Sequence, residues 1–106
     1  MIEIKVNPKK YEVSITGHAG QAEKGQDIVC SAISILFYTL AQSIAESAAM
    51  LKASADIRSD DGNGYLRCEP KEEYRGNIER TYWTILVGFE LVANEYPEYI
   101  TLIVKE

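Results

Sequence analysis

The feature that most constrains this chain is a row of apolar residues near its C-terminal end. Ile78, Tyr82, Ile85, Phe89, Val92 and Tyr96 follow one another at spacings of four, three, four, three and four. That is the period of one face of an α-helix. Such a stripe must be covered by another element, because a single amphipathic helix cannot bury its own apolar face. Asn77 is placed to cap the helix, and Pro97 to stop it. A second stripe, Val29, Ile33, Leu36, Leu40, Ile44 and Leu51, predicts an earlier helix that starts after Asp27 as N-cap and ends near Lys52. Its small residues, Ala41, Ala45, Ala48 and Ala49, suit close packing on a sheet or on the other helix.

The segments between these stripes alternate with the period of two that marks a half-buried strand. Ile2, Ile4 and Val6 predict a first strand, and Tyr11, Val13 and Ile15 a second, separated by the turn at Asn7-Pro8. Ala55 to Arg58 and Tyr65 to Glu69 predict a pair joined by the tight turn Asp60–Gly64 (DDGNG), with Pro70 closing the run. Lys71 to Gly76 is a charged loop, and Tyr99 to Val104 a last strand. The order is therefore ββαββαβ. It implies an α+β fold of one domain over residues 1–106, with two helices packed on one face of a mostly antiparallel sheet. The apolar run Ile28 to Met50 is broken by Ser31, Ser34, Gln42, Ser43 and Glu46, which reads as a packed helix and not a membrane span. The N-terminus MIEIKV lacks the apolar core of a secretory signal, so a cytoplasmic address is the expectation.

With 11 basic and 16 acidic residues, the formal charge of −5 disfavours broad phosphate binding and favours a basic partner. The 2 cysteines form no CxxC pair, and 1 histidine cannot complete a zinc site with them. Neither a metal nor a cofactor is expected. Cys68, between Leu66 and Pro70, reads as a buried structural thiol. Trp83 falls off the main stripe of the second helix, which predicts exposure or a subunit contact.

One stretch concentrates chemistry. Gly17-His18-Ala19-Gly20 ends the second strand, and Gly25-Gln26-Asp27-Ile28-Val29-Cys30 opens the first helix. With Asp27 as N-cap, Cys30 is the third helical residue, where unpaired amides and the positive dipole end favour a thiolate. His18, the one imidazole, lies across a loop from residue 17 to residue 26, with Gly17, Gly20 and Gly25 as hinges. Closure of that loop brings imidazole to thiol, making Cys30 the nucleophile and His18 its proton acceptor. The expected resting state keeps the two apart until a peptide binds. Ser34, one turn beyond Cys30 on the same face, can steady substrate, loop or thiol, or simply bond back to a helix carbonyl. On spacing alone a buried, inert cysteine and a pure helix-cap role for Asp27 stand beside this reading.

The run G-H-A-G-Q-A-E-K-G-Q-D-I-V-C-S-A-I-S-I-L, residues 17 to 36, resembles the signature of the ribosomal-processing cysteine protease family, Prp. That signature reads roughly G-H-A, a short loop, then G-x-D-x-V-C-A-x-S. Carried over residue by residue, it puts the family's histidine on His18, its nucleophile on Cys30, its aspartate on Asp27 and its helix serine on Ser34. Ser31 departs from the usual alanine. The resemblance implies a cysteine endopeptidase that removes an N-terminal extension from a bacterial large-subunit ribosomal protein. It also implies a homodimer and a preference for an extended segment with bulky aromatic residues before the cut. No membrane and no direct nucleic-acid partner is expected. The alternative is a noncatalytic peptide- or RNA-binding module associated with ribosome assembly. Gly17 to Gly20 fits the G-x-x-G loop of KH domains, although it follows a strand and holds no basic residue.

Overall fold

The mostly antiparallel sheet and both helices trace back to the same physical requirement, an apolar sheet face with something to cover it. In the computed structural model, residues 1–17, 24–60 and 62–105 are described, and of residues 24–27 only the backbone. Five strands are present: β1 (Ile2–Asn7), β2 (Glu12–Thr16), β3 (Asp56–Asp60), β4 (Asn63–Arg67) and β5 (Ile100–Val104). Helix α1 (Lys24–Glu46) lies between β2 and β3, and helix α2 (Arg75–Glu95) between β4 and β5. The order ββαββαβ is the one the hydrophobic periods predict.

The strands form one sheet in the order β3-β4-β2-β1-β5. All neighbours are antiparallel except β1 and β5, which run parallel. That one parallel pair makes the sheet mixed. It arises because α2 carries the chain from β4 across β2 and β1 to the far edge, a crossover that returns the next strand in the same direction.

Register is set by burial. Ile4 faces Ile15 and Val6 faces Val13 across β1 and β2, and Val13 faces Leu66 across β2 and β4. All five point to the helix side and are buried. A slip of one residue would turn this set to solvent, so the alternation itself selects the pairing. The opposite face is polar. There Tyr65 Oη donates to Glu12 at 2.7 Å, and the Arg58 guanidinium lies over the Tyr65 ring at 4.7 Å.

Both helices lie on the apolar face. Val29, Ile33, Phe37, Leu40 and Ile44 of α1 and Ile78, Tyr82, Ile85, Leu86 and Phe89 of α2 are buried in one core with the sheet. The helices touch where Gly88 of α2 meets Leu36 of α1. A Cβ at Gly88 would stand 2.6 Å from Leu36 Cδ2, so the missing side chain lets the backbones approach. The stretch Ile28–Glu46 is long and apolar enough by composition to cross a membrane. Here its inward stripe is the helix half of the core.

Strands β3 and β4 run closer to the turn than expected, to Asp60 and from Asn63, and three helix ends differ from the sequence reading. Helix α1 begins at Lys24, one turn before the expected cap at Asp27. Asp is favoured in a first turn as well as at a cap, and neither Lys24 nor Gln26 opposes helix, so composition does not separate the two. Helix α1 ends at Glu46 and not near Lys52, where the chain tightens into a 3₁₀ turn over Ala48–Met50. Helix α2 begins at Arg75, ahead of Asn77, where a 3₁₀ turn over Glu72–Tyr74 leads straight into it.

Cys68 is buried, as expected, just past the end of β4. Its Sγ lies 3.6 Å from Tyr82 Oη, and Tyr82 meets Tyr11 edge-on at 6.2 Å. Burial pushes both groups up, Cys68 from 9.0 and Tyr82 from 10.0, since each would have to ionise inside the core. The folded chain therefore keeps protons that the unfolded chain gives up. Stability from this pair is complete below about pH 9 and falls as pH rises past the unfolded values, at up to about 1.4 kcal/mol per pH unit for each group. The melting temperature should accordingly drop above about pH 9–10. Tyr82→Phe should flatten that drop while changing neutral-pH stability little, and thermal melts from neutral to alkaline pH would show it. An identical alkaline drop in Tyr82→Phe would place the sensitivity elsewhere.

Candidate active site

Helix α1 faces the β3–β4 hairpin across a groove of about 400 Å³. Cys30, Ile33, Ser34, Phe37 and Tyr38 line its helix side, where residues three and four apart share one face. Ser59, Asp60 and Gly62–Gly64 line the hairpin side, and Ile2, Ile15 and Gly17 close the end. The groove is built by local chemistry that the sequence specifies. Gly62 has φ 79°, a left-handed value that turns the hairpin where Asp60 pairs with Asn63. Gly64 lies under Phe37, where a Cβ would come 3.0 Å from the ring carbon Cζ. The ring thus rests on bare backbone and forms an apolar floor. Tyr38 packs edge-on against it at 5.7 Å and is half exposed to the groove's mouth.

Cys30 is partly buried and packs against the core, while its residue lines the groove. The thiol therefore belongs neither to the sealed interior, as Cys68 does, nor to the open surface. Ser34 is exposed one turn further along the same wall. Gly17 holds φ 106°, and a Cβ there would collide with the Met1 carbonyl oxygen. A glycine is required where β2 ends, and the residue that follows it is His18.

His18 and Gly20 lie outside the described residues, so the closing loop and the resting distance between imidazole and thiol fall outside them too. The same holds for the side chain of Asp27. Its backbone is helical, which overturns the N-cap assignment. Gly25 likewise falls within α1 and not in a hinge loop. Because the helix starts at Lys24, Cys30 is its seventh residue, and the unpaired amides of the first turn belong to residues 24–27. The expected shelter of a thiolate among free helix-start amides is displaced by one turn, and the dipole's pull fades over that distance.

Phe37, Tyr38, Asp60, Asn63 and Gly64 are groove residues that spacing did not single out. The signal was available for two of them, since Phe37 and Tyr38 continue the step of Cys30 and Ser34. The hairpin residues gave none, because contact between a β-turn and a distant helix leaves no local pattern. Among the described residues no group of three His, Cys, Asp or Glu side chains is placed to hold a metal ion.

A sequence profile of the family described as Cysteine protease Prp matches residues 1–101. The Ribosomal processing cysteine protease Prp of Staphylococcus aureus (strain Mu50 / ATCC 700699) is 28% identical over 103 residues, 95% of this chain and 94% of that one. Two crystal structures of the Essential Ribosomal Processing Protease Prp from S. aureus share the fold. The one in complex with a substrate peptide has a TM-score of 0.77 at 25% identity, covering 99% of this chain and 100% of the other. The one in complex with a covalently linked product peptide has a TM-score of 0.75 at 26% identity, with the same coverage.

The two thiols differ in access, and that difference is measurable. Iodoacetamide at neutral pH should label Cys30 faster than Cys68 by on the order of tenfold or more in the folded protein. Mass spectrometry of timed digests reads the order directly. Equal rates, or Cys68 first, would mean that the groove does not expose Cys30.

Proposed function

The chain belongs to the Prp family of cysteine proteases, and on that premise we propose that it removes the N-terminal extension of a bacterial large-subunit ribosomal protein, using Cys30 and His18. One observation carries this reading. The thiol-bearing wall of α1 lines a groove with an aromatic floor, and that groove ends at Gly17, the residue before the protein's single histidine. An extended segment with bulky aromatic residues would set those rings against Phe37 and Tyr38, where apolar contact and edge-to-face packing favour them. The acidic charge of the chain suits a substrate rich in Lys and Arg, as a protein that binds RNA is.

In this mechanism His18 takes the proton of the Cys30 thiol, and the sulfur attacks the carbonyl carbon of the peptide bond. The tetrahedral oxyanion collapses, the C–N bond breaks, and His18 returns the proton to the leaving amine. The acyl group remains on sulfur as a thioester until water, deprotonated by His18, releases it. The covalently linked product peptide in the S. aureus relative supports the thioester stage. With Cys30 in the second turn, hydrogen-bond donors for the oxyanion come from outside its own helical amide. Ser34, exposed on the same wall, is assigned the role of steadying the substrate chain and not of moving the proton. Asp27 has lost its capping role and is assigned a supporting part through its place one turn before Cys30.

The decisive experiment incubates the protein with the extended ribosomal protein. A single cut should appear, and Cys30→Ala and His18→Ala should each lower its rate by at least about a thousandfold while remaining folded. Ser34→Ala should raise KM more than it lowers kcat. Full activity in Cys30→Ala would refute the assignment.

The same reading makes the chain a homodimer in the cytoplasm. Trp83, Val87 and Leu91 form an exposed apolar row on the outer side of α2, and Ile35 is exposed on α1. Rows of this kind are covered in most stable proteins. Sedimentation should give twice the chain mass for the wild type and a shift toward monomer for Leu91→Glu. A wild-type monomer at micromolar concentration would remove this part.

A further inference from the structure

The Cys30 groove opens sideways onto an edge of the sheet. Strand β3 is an end strand in the order β3-β4-β2-β1-β5, and all five of its residues are exposed. The groove reaches this strand, because Ser59 and Asp60 form part of its wall. No residue of β5, the other end strand, lines the groove.

Register decides what that edge offers. Asp60 pairs with Asn63, and two positions separate them in the chain. The pair that closes so short a turn exchanges its hydrogen bonds within the hairpin. Bonded and non-bonded pairs alternate from there, so Arg58 and Asp56 also turn their N–H and C=O groups to β4. Those of Ser59 and Ile57 turn outward, to the open edge. The same alternation puts the Ser59 and Ile57 side chains on the helix side of the sheet. Their partners are Gly64, which lies under Phe37, and the buried Leu66.

This edge lacks the usual devices against pairing. Natural edges are blunted by proline, by bulges or by charges that point inward. Strand β3 holds no proline, and its charges lie on the outer face, where Arg58 donates to Asp56 at 3.0 and 2.8 Å. The helix side carries only Ile57, 39% exposed, and Ser59. Tyr38, 52% exposed, stands on the opposite wall of the groove. An open row of backbone groups therefore borders an aromatic wall.

We propose that the substrate peptide lies along β3 as an added strand, bonded to the outward backbone groups of Ile57 and Ser59. This rests on the protease reading above, in which the substrate is an extended chain. An edge strand holds such a chain by main-chain hydrogen bonds, and contacts on one side select alternate side chains. Here the residues turned to the helix side meet Ile57 and Tyr38, and those between them face water. Ser59 and Cys30 line the same groove, so a chain that passes Ser59 has already entered it.

Binding to the full chain carrying Cys30→Ala tests this without cleavage, read by fluorescence anisotropy of a labelled peptide that spans the extension and the cut. The peptide is remade with one backbone N-methyl group at each position in turn. Kd should rise about fivefold or more at every second residue of the stretch over β3, and stay within about twofold at the residues between. Ile57→Pro removes one outward N–H and no bond to β4, so it should weaken the parent peptide about fivefold, whereas Ile57→Val should not. A flat N-methyl profile, losses at consecutive residues, or no binding would overturn the added strand, whatever Ile57→Pro does. Cleavage by the wild type alongside a flat profile would sink the added strand alone. An alternating profile in a protein whose wild type leaves the peptide uncut would sink the protease reading and uphold the strand.

Discussion

Everything in this protein rests on one apolar sheet face being covered by two helices that also touch each other. Ile4, Val6, Val13, Ile15 and Leu66 stand in register across three strands, and α1 and α2 bury them. Each side chain so removed from water contributes roughly 1.5–3 kcal/mol, and only one pairing of the strands gathers them all. The helices are thereby fixed in height and rotation over the sheet. A groove wall made from α1 inherits that rigidity, which is why its side chains can serve as a preorganised surface.

The placement of the thiols follows from the same packing. Cys68 sits beneath α2 against Tyr82, where burial keeps both groups neutral, and such a sulfur is inert. Cys30 sits on the flank of α1, at the edge of the core and not within it. Cys68 follows a strand end inside the core, whereas Cys30 lies on a helix flank that borders the groove. Phe37 shows the connection between fold and site: its ring is part of the core and also the floor of the groove, and Gly64 is bare so that both can be true. A protease of this size has no separate scaffold for its site, and the core supplies it.

Much of this was legible from residue order alone. The helical stripes, the alternating strands, the hairpin around Asp60–Gly64 and the burial of Cys68 are local patterns, set by side-chain periodicity and turn chemistry. The run from Gly17 to Leu36 carried the family resemblance. Helix ends were not legible in the same way, since Asp27 suits a cap and a first turn equally. That single ambiguity moved Cys30 from the third to the seventh helical residue and took the free amides away from it.

The order of elements, the inward-facing residues, the candidate nucleophile and its histidine were determined by sequence, because each depends on spacing within one segment or on a motif. Only the tertiary structure decided that the β3–β4 hairpin forms the far wall of the groove, and that Phe37 rests on the bare backbone of Gly64. Contacts between segments distant along the chain follow from how helices cross over a sheet, and no local pattern of residues encodes that path.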